Sequence, residues 1–181
     1  SDPDHASHAE IETLAKKIAD TGVSIDWIIY AHGFIDAETV LEKQRPEDIA
    51  TTFDLNILSI IYLTQLFLPH LGHSAGIISI SSTAGVRANG RHAAYSASKA
   101  AVNAFMQAMA RNRPEQKFFS ICPGPTITAM LEKVVSDPAT AQDPRVIAEL
   151  AKDIVADQGG YTSGDVIVVR DGKRETVSRI G

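Results

Sequence analysis

Gly-Ile-Ile-Ser-Ile-Ser-Ser-Thr-Ala-Gly at residues 76–85, followed by Tyr-Ser-Ala-Ser-Lys at residues 95–99, is the stretch that decides the fold of this chain. The first part is an apolar run that ends in small and polar residues, which is typical of a buried parallel strand and its turn. The second part places Tyr95 and Lys99 four residues apart, so that both side chains project from one face of a helix. A strand, a turn and a helix in this order predict an α/β sheet.

Ser82, Tyr95 and Lys99, called the trio below, indicate a site that moves a proton on or off a carbonyl or alcohol oxygen. In open α/β sheets chemistry collects at the carboxyl ends of strands, and Ser82 stands where the apolar run ends. A free tyrosine titrates near ~10, and a neighbouring ammonium is expected to lower that pKa. Taken alone, Ser82 is more typical of a turn or a helix cap, and the pair of a helix surface. The combination favours the functional interpretation.

The rest of the chain alternates between helical and strand patterns, as expected of a single domain over residues 1–181. Asp171-Gly172 stands between two strand-like runs and predicts a tight hairpin. Apolar spacing, first-turn prolines and a terminal glycine locate the helices, and apolar runs locate the strands. Helices are predicted near residues 11–21, 46–71, 95–110 and 145–155, and strands at residues 27–30, 77–81, 118–122, 166–169 and 176–178.

These motifs, in this order, resemble the short-chain dehydrogenase/reductase family over nearly the whole chain. The trio matches the catalytic residues of that family, and Asn56 matches its helix asparagine. Gly33 ends a segment that stands where the family has Asn-Asn-Ala-Gly. Residues 122–128 match the Pro-Gly segment of the family, and residues 164–169 match its last strand. The resemblance implies an α/β fold with a Rossmann-like, doubly wound parallel sheet.

The resemblance also implies a role for each matching residue. Tyr95 is the general acid/base, and Lys99 lowers its pKa and holds the nicotinamide ribose. Ser82 orients the substrate oxygen. Asn56 is a water-holding link in a proton path to Lys99, although a mid-helix asparagine that caps a local kink is an equally good interpretation. No metal-binding set of residues is expected.

A nicotinamide cofactor, NAD or NADP, follows from the same resemblance. Tyr30, Ala31 and His32 depart from the Asn-Asn-Ala of the family, which puts in question the hydrogen bonds that brace this loop. For the glycines and the Pro-Gly pair, an ordinary turn is the alternative interpretation. The implied cofactor-binding residues are Gly33, Tyr95, Lys99, Pro123, Gly124 and Thr128.

The sequence contains no glycine-rich turn between a first strand and a first helix, where a dinucleotide pyrophosphate would bind. By alignment to the family, the first strands and this cofactor loop are expected to be missing, as in a fragment or a truncated product. The strand at residues 27–30 would then form an apolar edge. We therefore expect the isolated chain to be unstable, prone to aggregation or paired with another segment.

Composition narrows the classes of function. A net charge of −5 and a pI of about 5.6 give no support to nucleic-acid or anionic-membrane binding. The sequence shows no apolar run of about 18 residues. Cys122 is the single cysteine, so an internal disulfide is excluded and a reducing cytoplasm is the expected location.

Two functions remain open at this point. One is an oxidoreductase that transfers a hydride between NAD(P) and a small-molecule alcohol/carbonyl substrate, and that assembles as a homodimer or homotetramer by family resemblance. The other is a cofactor-incompetent fragment or a non-enzymatic scaffold of the same fold. The trio favours the first, and the missing glycine-rich turn favours the second. Titration with NADH and NADPH discriminates between them.

Overall fold

The computed structural model describes residues 8–38, 40–88, 90–132 and 141–178. Over these residues the chain forms one five-stranded sheet with helices on both faces. The strands are β1 (Ile25–Tyr30), β2 (Leu71–Ile80), β3 (Lys117–Pro123), β4 (Val166–Arg170) and β5 (Lys173–Ser178). The helices are α1 (His8–Asp20), α2 (Pro46–Phe53), α3 (Ser59–Phe67), α4 (Ala93–Asn112), α5 (Ala129–Glu132) and α6 (Arg145–Val155).

The strands lie side by side in chain order, from β1 to β5. β1 to β4 are parallel, and a helix lies in each connection between them, as parallel pairing requires. In register, Ile28 of β1 pairs with Ile77 of β2, which pairs with Phe118 of β3. The predicted Rossmann-like parallel sheet is confirmed. The carboxyl ends of β1, β2 and β3 therefore open on the same edge.

Alternate residues of the central strands bury opposite faces of the sheet. Ile77 belongs to a buried cluster with Val102 of α4, whereas Ile78 belongs to a second cluster with Leu150 of α6. All four side chains are completely buried. Burying a side chain of this size stabilises the fold by ~1.5–3 kcal/mol. The two clusters thus hold α4 and α6 on opposite sides of β2.

The long helix predicted at residues 46–71 is present as Pro46–His70, but it is not uniform. A π-helical turn, Asp54–Leu58, separates α2 from α3, and Asn56 lies within it. Such turns insert an extra residue into the helical ladder and are frequent at functional sites. By length and mean hydropathy (1.3) this helix is long and apolar enough to cross a membrane. A core helix passes the same test, so the observation is weak evidence for a span.

β2 is longer than the predicted strand, because pairing with β1 begins already at Leu71. The register shifts between Ile25 and Trp27, where the indole ring lies against Gly76. A Cβ at Gly76 would come within 2.2 Å of that ring, so the strand needs glycine at this position. A shift of this kind leaves little trace in the apolar pattern that predicted the strand.

The predicted hairpin is confirmed at Asp171-Gly172, whose φ angles of 51° and 73° are those of a two-residue hairpin turn. β5 begins at Lys173, earlier than predicted, because so short a turn allows pairing to start at once. β5 forms a mostly exposed edge that carries three successive charged residues. The other edge, β1, leaves Ile29 48% exposed. The expected tendency of β1 to pair with another segment stays a prediction.

Candidate active site

A cavity of about 1010 Å³ opens at the carboxyl ends of β1, β2 and β3. Tyr95 and Lys99 of α4 line it from one side, and His32 and Gly33 after β1 line it from another. Apolar residues such as Ile35, Met130 and Leu131 also face it. Parallel sheets collect ligands at this edge. The cavity contains the trio and the predicted cofactor-binding residues; these lining residues are Gly33, Ser82, Tyr95, Lys99, Pro123, Gly124 and Thr128.

The trio meets on the face of α4 that looks into this cavity. The Lys99 ammonium lies 5.9 Å from the centre of the Tyr95 ring, as expected for residues one helical turn apart. The Ser82 hydroxyl lies near enough to the Tyr95 phenol to lower the pKa of Tyr95. One phenol therefore has a hydroxyl beside it and an ammonium close to its ring, which is the grouping that the sequence predicts.

Lys99 is a buried cation with one anchoring hydrogen bond. Its side chain is 3% exposed, and Nζ donates to the carbonyl oxygen of Ile80 over 3.0 Å. Burial disfavours the charged form and lowers the pKa of Lys99 to about 8. The ammonium thus stays mostly protonated at neutral pH, and it is easier to deprotonate than a surface lysine.

The expected lowering of the Tyr95 pKa by Lys99 is wrong in this structure. Burial raises the pKa of Tyr95 above its usual value, and the hydrogen bond from Ser82 offsets this in part. Removal of the phenolate from water costs more than the neighbouring groups return, which the spacing of residues in the sequence does not reveal. At neutral pH Tyr95 is therefore a protonated phenol, suited to donate a proton rather than to accept one.

Ser82 also caps the 3₁₀ turn Thr83–Gly85 that leads into the loop before α4. Its Oγ accepts a hydrogen bond from the Ala84 N–H at 3.1 Å. A Cβ at Gly85 would lie 2.6 Å from the Lys99 carbonyl carbon, so glycine lets this turn pack directly on α4. The helix-cap interpretation of Ser82 is thus confirmed, and its role as a site residue, at the wall of the cavity, stays a prediction.

Asn56 holds the loop after β1 against α4. Its Oδ1 accepts from the Phe34 N–H at 2.7 Å, and its Nδ2 donates to the Phe34 carbonyl at 2.8 Å and to Ser98 Oγ at 2.9 Å. Ser98 in turn donates to the carbonyl of Tyr95. Both amide hydrogens are thus in use within the protein. Asn56 lies in the π-helical turn, but its side chain binds the loop after β1 and Ser98 rather than the backbone of that turn, and the proton path stays a prediction.

Gly33 lies where the loop, the helix and the lysine come together. A Cβ at this position would be 3.1 Å from Lys99 Nζ and 3.2 Å from Asn56 Oδ1. Contacts this short require the neighbours to move, so glycine keeps this part of the cavity open. The close approach of a cofactor to the Gly33 backbone stays a prediction.

Pro123, Gly124 and Thr128 form the third side of the cavity. Gly124 is buried, and its N–H donates to the carbonyl of Val169 at 2.8 Å, which fixes it to β4. Thr128 is exposed, and its Oγ accepts from the Leu131 N–H at 3.3 Å. Thr128 thus caps α5, as a threonine before a helix often does.

Two hydrogen-bonded contacts of the site, at Ser98 and at His32, were not predicted from the sequence. Ser98 joins Asn56 to α4, and its signal was a serine one turn beyond Tyr95 on the same helix. His32 hydrogen-bonds through Nε2 to Ser59 Oγ at 2.8 Å. Its signal was the departure from the family motif at this position.

The residues that line this cavity suit the nicotinamide ribose of a dinucleotide, whereas the sequence has no turn that suits its pyrophosphate. Gly33 leaves space beside the Lys99 ammonium, which suits a ligand that carries hydroxyl groups. The sequence contains no glycine-rich phosphate turn. The residues described thus suit the nicotinamide end of such a ligand.

The chain is similar in sequence to several known proteins. The family model described as short chain dehydrogenase matches residues 2–139. The chain is 26% identical over 162 residues to the uncharacterized oxidoreductase YhxC of Bacillus subtilis, covering 82% of this chain and 57% of that protein. It is 26% identical over 176 residues to the 3-oxoacyl-[acyl-carrier-protein] reductase FabG of Vibrio cholerae, covering 90% of this chain and 72% of that one.

Solved structures show the same fold. The oxidoreductase yciK of E. coli superposes with a TM-score of 0.83 at 24% identity, covering 91% of this chain and 69% of that one. A Shigella flexneri short chain dehydrogenase complexed with NADP gives a TM-score of 0.82 at 23% identity, covering 93% and 72%. The chain spans about half of the first curated relatives, with 57%, 51% and 50% of their lengths matched.

Proposed function

Because this chain belongs to the short-chain dehydrogenase family, we propose that it carries the catalytic part of an oxidoreductase that interconverts an alcohol and a carbonyl compound. The observation that carries the proposal is the trio at the cavity. The Ser82 hydroxyl lies beside the Tyr95 phenol, and the Lys99 ammonium lies close to the ring of Tyr95. This grouping suits proton transfer at an oxygen atom.

The proposed cofactor is NAD or NADP, which supplies the hydride when it is bound. Solved neighbours from Shigella flexneri and E. coli CFT073 are complexes with NADP and NADPH. On the present chain, Lys99 would hold the nicotinamide ribose, and Gly33, Pro123, Gly124 and Thr128 would border the nicotinamide. The choice between NAD and NADP rests on a residue after the second strand of such folds, a segment that the present sequence does not match.

In the direction of reduction, the protein residues act on the substrate oxygen. Ser82 donates a hydrogen bond to the carbonyl oxygen and orients it. As the carbonyl carbon receives the hydride, Tyr95 gives its phenolic proton to the developing alkoxide, and the product is an alcohol. The Lys99 ammonium stabilises the phenolate that Tyr95 becomes at that moment, against the cost of burial that raises the pKa of Tyr95 in the resting site. Oxidation reverses these transfers.

Substrate and assembly are proposed at the level of class. A small-molecule aldehyde, ketone or alcohol fits the cavity, whereas nucleic acid and membrane are not proposed as partners. A homodimer or homotetramer is proposed because Leu58 and Tyr62 on the long helix are 37% and 42% exposed. A cytoplasmic location is proposed from the single, buried cysteine.

A cofactor-incompetent scaffold of the same fold is the second candidate, favoured by the lack of a glycine-rich phosphate turn in the sequence. The test is titration of the chain with NADH and NADPH, followed by turnover of a panel of aldehydes and ketones. We expect Tyr95→Phe to keep cofactor affinity and to lose at least ~10²-fold in turnover. Tyr161→Phe, at a tyrosine that is not among the residues lining the cavity, is the matched control. Full turnover in Tyr95→Phe, or no binding of either cofactor, refutes the proposed enzyme.

A further inference from the structure

His32 is the titratable side chain of the cavity for which the trio gives no role. It follows β1 and immediately precedes Gly33, the residue that leaves space beside Lys99 Nζ. Its ring lines the same cavity as Tyr95 and Lys99, and it is exposed toward that cavity. A ligand next to the Lys99 ammonium would therefore come within reach of this imidazole.

The hydrogen bonds of His32 fix its tautomer. Ser59 Oγ donates its one hydrogen to the carbonyl of Leu55 at 2.7 Å. The 2.8 Å contact between Ser59 Oγ and His32 Nε2 must then use a hydrogen of the imidazole. Nε2 thus carries the proton, and Nδ1 is left with a lone pair.

The same surroundings keep the ring neutral. Partial burial and the nearby Lys99 ammonium lower the pKa of His32 below its usual value, and the bond to Leu55 offsets this in part. A neutral imidazole with Nε2 protonated is an acceptor at Nδ1. Among the residues described, we find no hydrogen-bond donor to Nδ1. The acceptor at the cavity wall is thus suited to a donor on a ligand.

We propose that His32 is a cofactor-binding residue whose Nδ1 accepts a hydrogen bond from a hydroxyl group of the nicotinamide ribose. The inference rests on the proposed function, which assigns the ribose to Lys99. A ribose hydroxyl is both donor and acceptor, so it can donate to His32 Nδ1 while it accepts from an ammonium. Ser59 holds the imidazole in the tautomer that this contact needs. His32 and Ser59 would thus supply a ligand contact at a position where the sequence departs from the family motif.

The first measurement examines the ring itself, without any ligand. ¹⁵N NMR of the labelled chain at neutral pH should show His32 as the neutral tautomer with Nε2 protonated. Ser59→Ala should weaken this preference, and His73, exposed near the start of β2, provides the internal comparison. A charged His32, or an Nδ1-protonated ring, overturns the inference whether or not the chain is an enzyme.

The second measurement is the affinity for NADH and for NADH analogues in which the 2′- or 3′-hydroxyl of the nicotinamide ribose is replaced by hydrogen. His32→Ala should weaken NADH binding by ~3–10-fold, as expected for one hydrogen bond, and His73→Ala should not. One of the analogues should bind the native chain more weakly by a similar factor, and His32→Ala should no longer discriminate against it.

His32→Asn keeps an acceptor oxygen close to the place of Nδ1 and should recover part of the affinity. The asparagine variant also tests the contact if His32→Ala does not fold. Unchanged NADH affinity in both His32 variants overturns the inference and leaves the proposed function intact. Failure of the native chain to bind NADH and NADPH overturns the proposed function, and the inference falls with it.

Discussion

Two walls of the cavity differ in how the protein holds them in place. The α4 wall consists of Ser82, Tyr95 and Lys99, and the loop wall consists of His32 and Gly33. The α4 wall is fixed by a long helix and by the 3₁₀ turn that packs against the backbone of Lys99. The loop wall is fixed by the side chains of Asn56 and Ser59.

The difference follows the chemistry of each wall. Proton transfer tolerates little change in residue type, and the α4 wall has the residues that the family resemblance implies. Hydrogen bonds to a bound ligand can be supplied by several residue types, and the loop wall departs from the motif at residues 30–32. A contact surface can therefore change while a proton-transfer group beside it is kept.

The largest expected effect comes from a substitution in the α4 wall, at Lys99. Lys99→Met removes the ammonium but keeps most of the volume of the side chain, so α4 should remain packed. Turnover should fall by about 10²–10³-fold, because the phenolate formed at Tyr95 loses its stabilising cation. Initial rates with NADPH measure the effect, and Lys152→Met on α6, which lines the same cavity, is the control. A loss confined to KM would mean that Lys99 binds and does not assist the proton transfer.

Glycine substitutions test how rigid each wall is. Gly85→Ala brings a Cβ within 2.6–2.9 Å of the backbone at Lys99 and Ala100, which cannot move without shifting α4, and it should cost about 1–3 kcal/mol of stability. Gly33→Ala meets the end of the flexible Lys99 side chain at 3.1 Å and should cost less. Urea unfolding of both variants gives the comparison. Equal costs would show that the loop wall is as rigid as the α4 wall.

The smallest effect concerns the pH dependence of stability. The folded-state pKa of Lys99, about 8, lies below its ordinary value of 10.5, so the unfolded chain binds more protons above pH 8. Stability from this group therefore rises with pH, by at most ~1.4 kcal/mol per pH unit. The rise is clearest from pH 8 to 9, because Cys122, whose burial raises its pKa from 9.0 to about 11, acts in the opposite sense and increasingly so at higher pH.

Urea unfolding of the native chain at pH 7, 8 and 9 checks this effect. Lys99→Met should remove the rise between pH 8 and 9 and should be more stable than the native chain at pH 7, since a buried and poorly paired charge is lost. A rise of the same size in both proteins would assign the pH dependence to other groups.

Much of the fold was predictable from the sequence, because apolar runs and helical spacing act locally. The strands, α4 and the Asp171-Gly172 turn are of this kind. The proximity of Tyr95 to Ser82 was predictable, because Ser82 follows β2 and Tyr95 lies on α4, the next helix along the chain. The raised pKa of Tyr95 was not, since burial depends on chain segments distant in sequence. Nor was the π-helical turn at Asn56, whose side chain binds a loop 22 residues away.

The buried thiol of Cys122 has a practical consequence. It lies completely inside, with Sγ donating to Asn103 Oδ1 at 3.5 Å, and Asn103 also donates to the Gly85 carbonyl of the turn that follows Ser82. A thiol reagent can reach it when β3 and α4 separate, and it is the one thiol of the chain. The rate of its modification in native buffer thus reports how often β3 and α4 separate, without any added label.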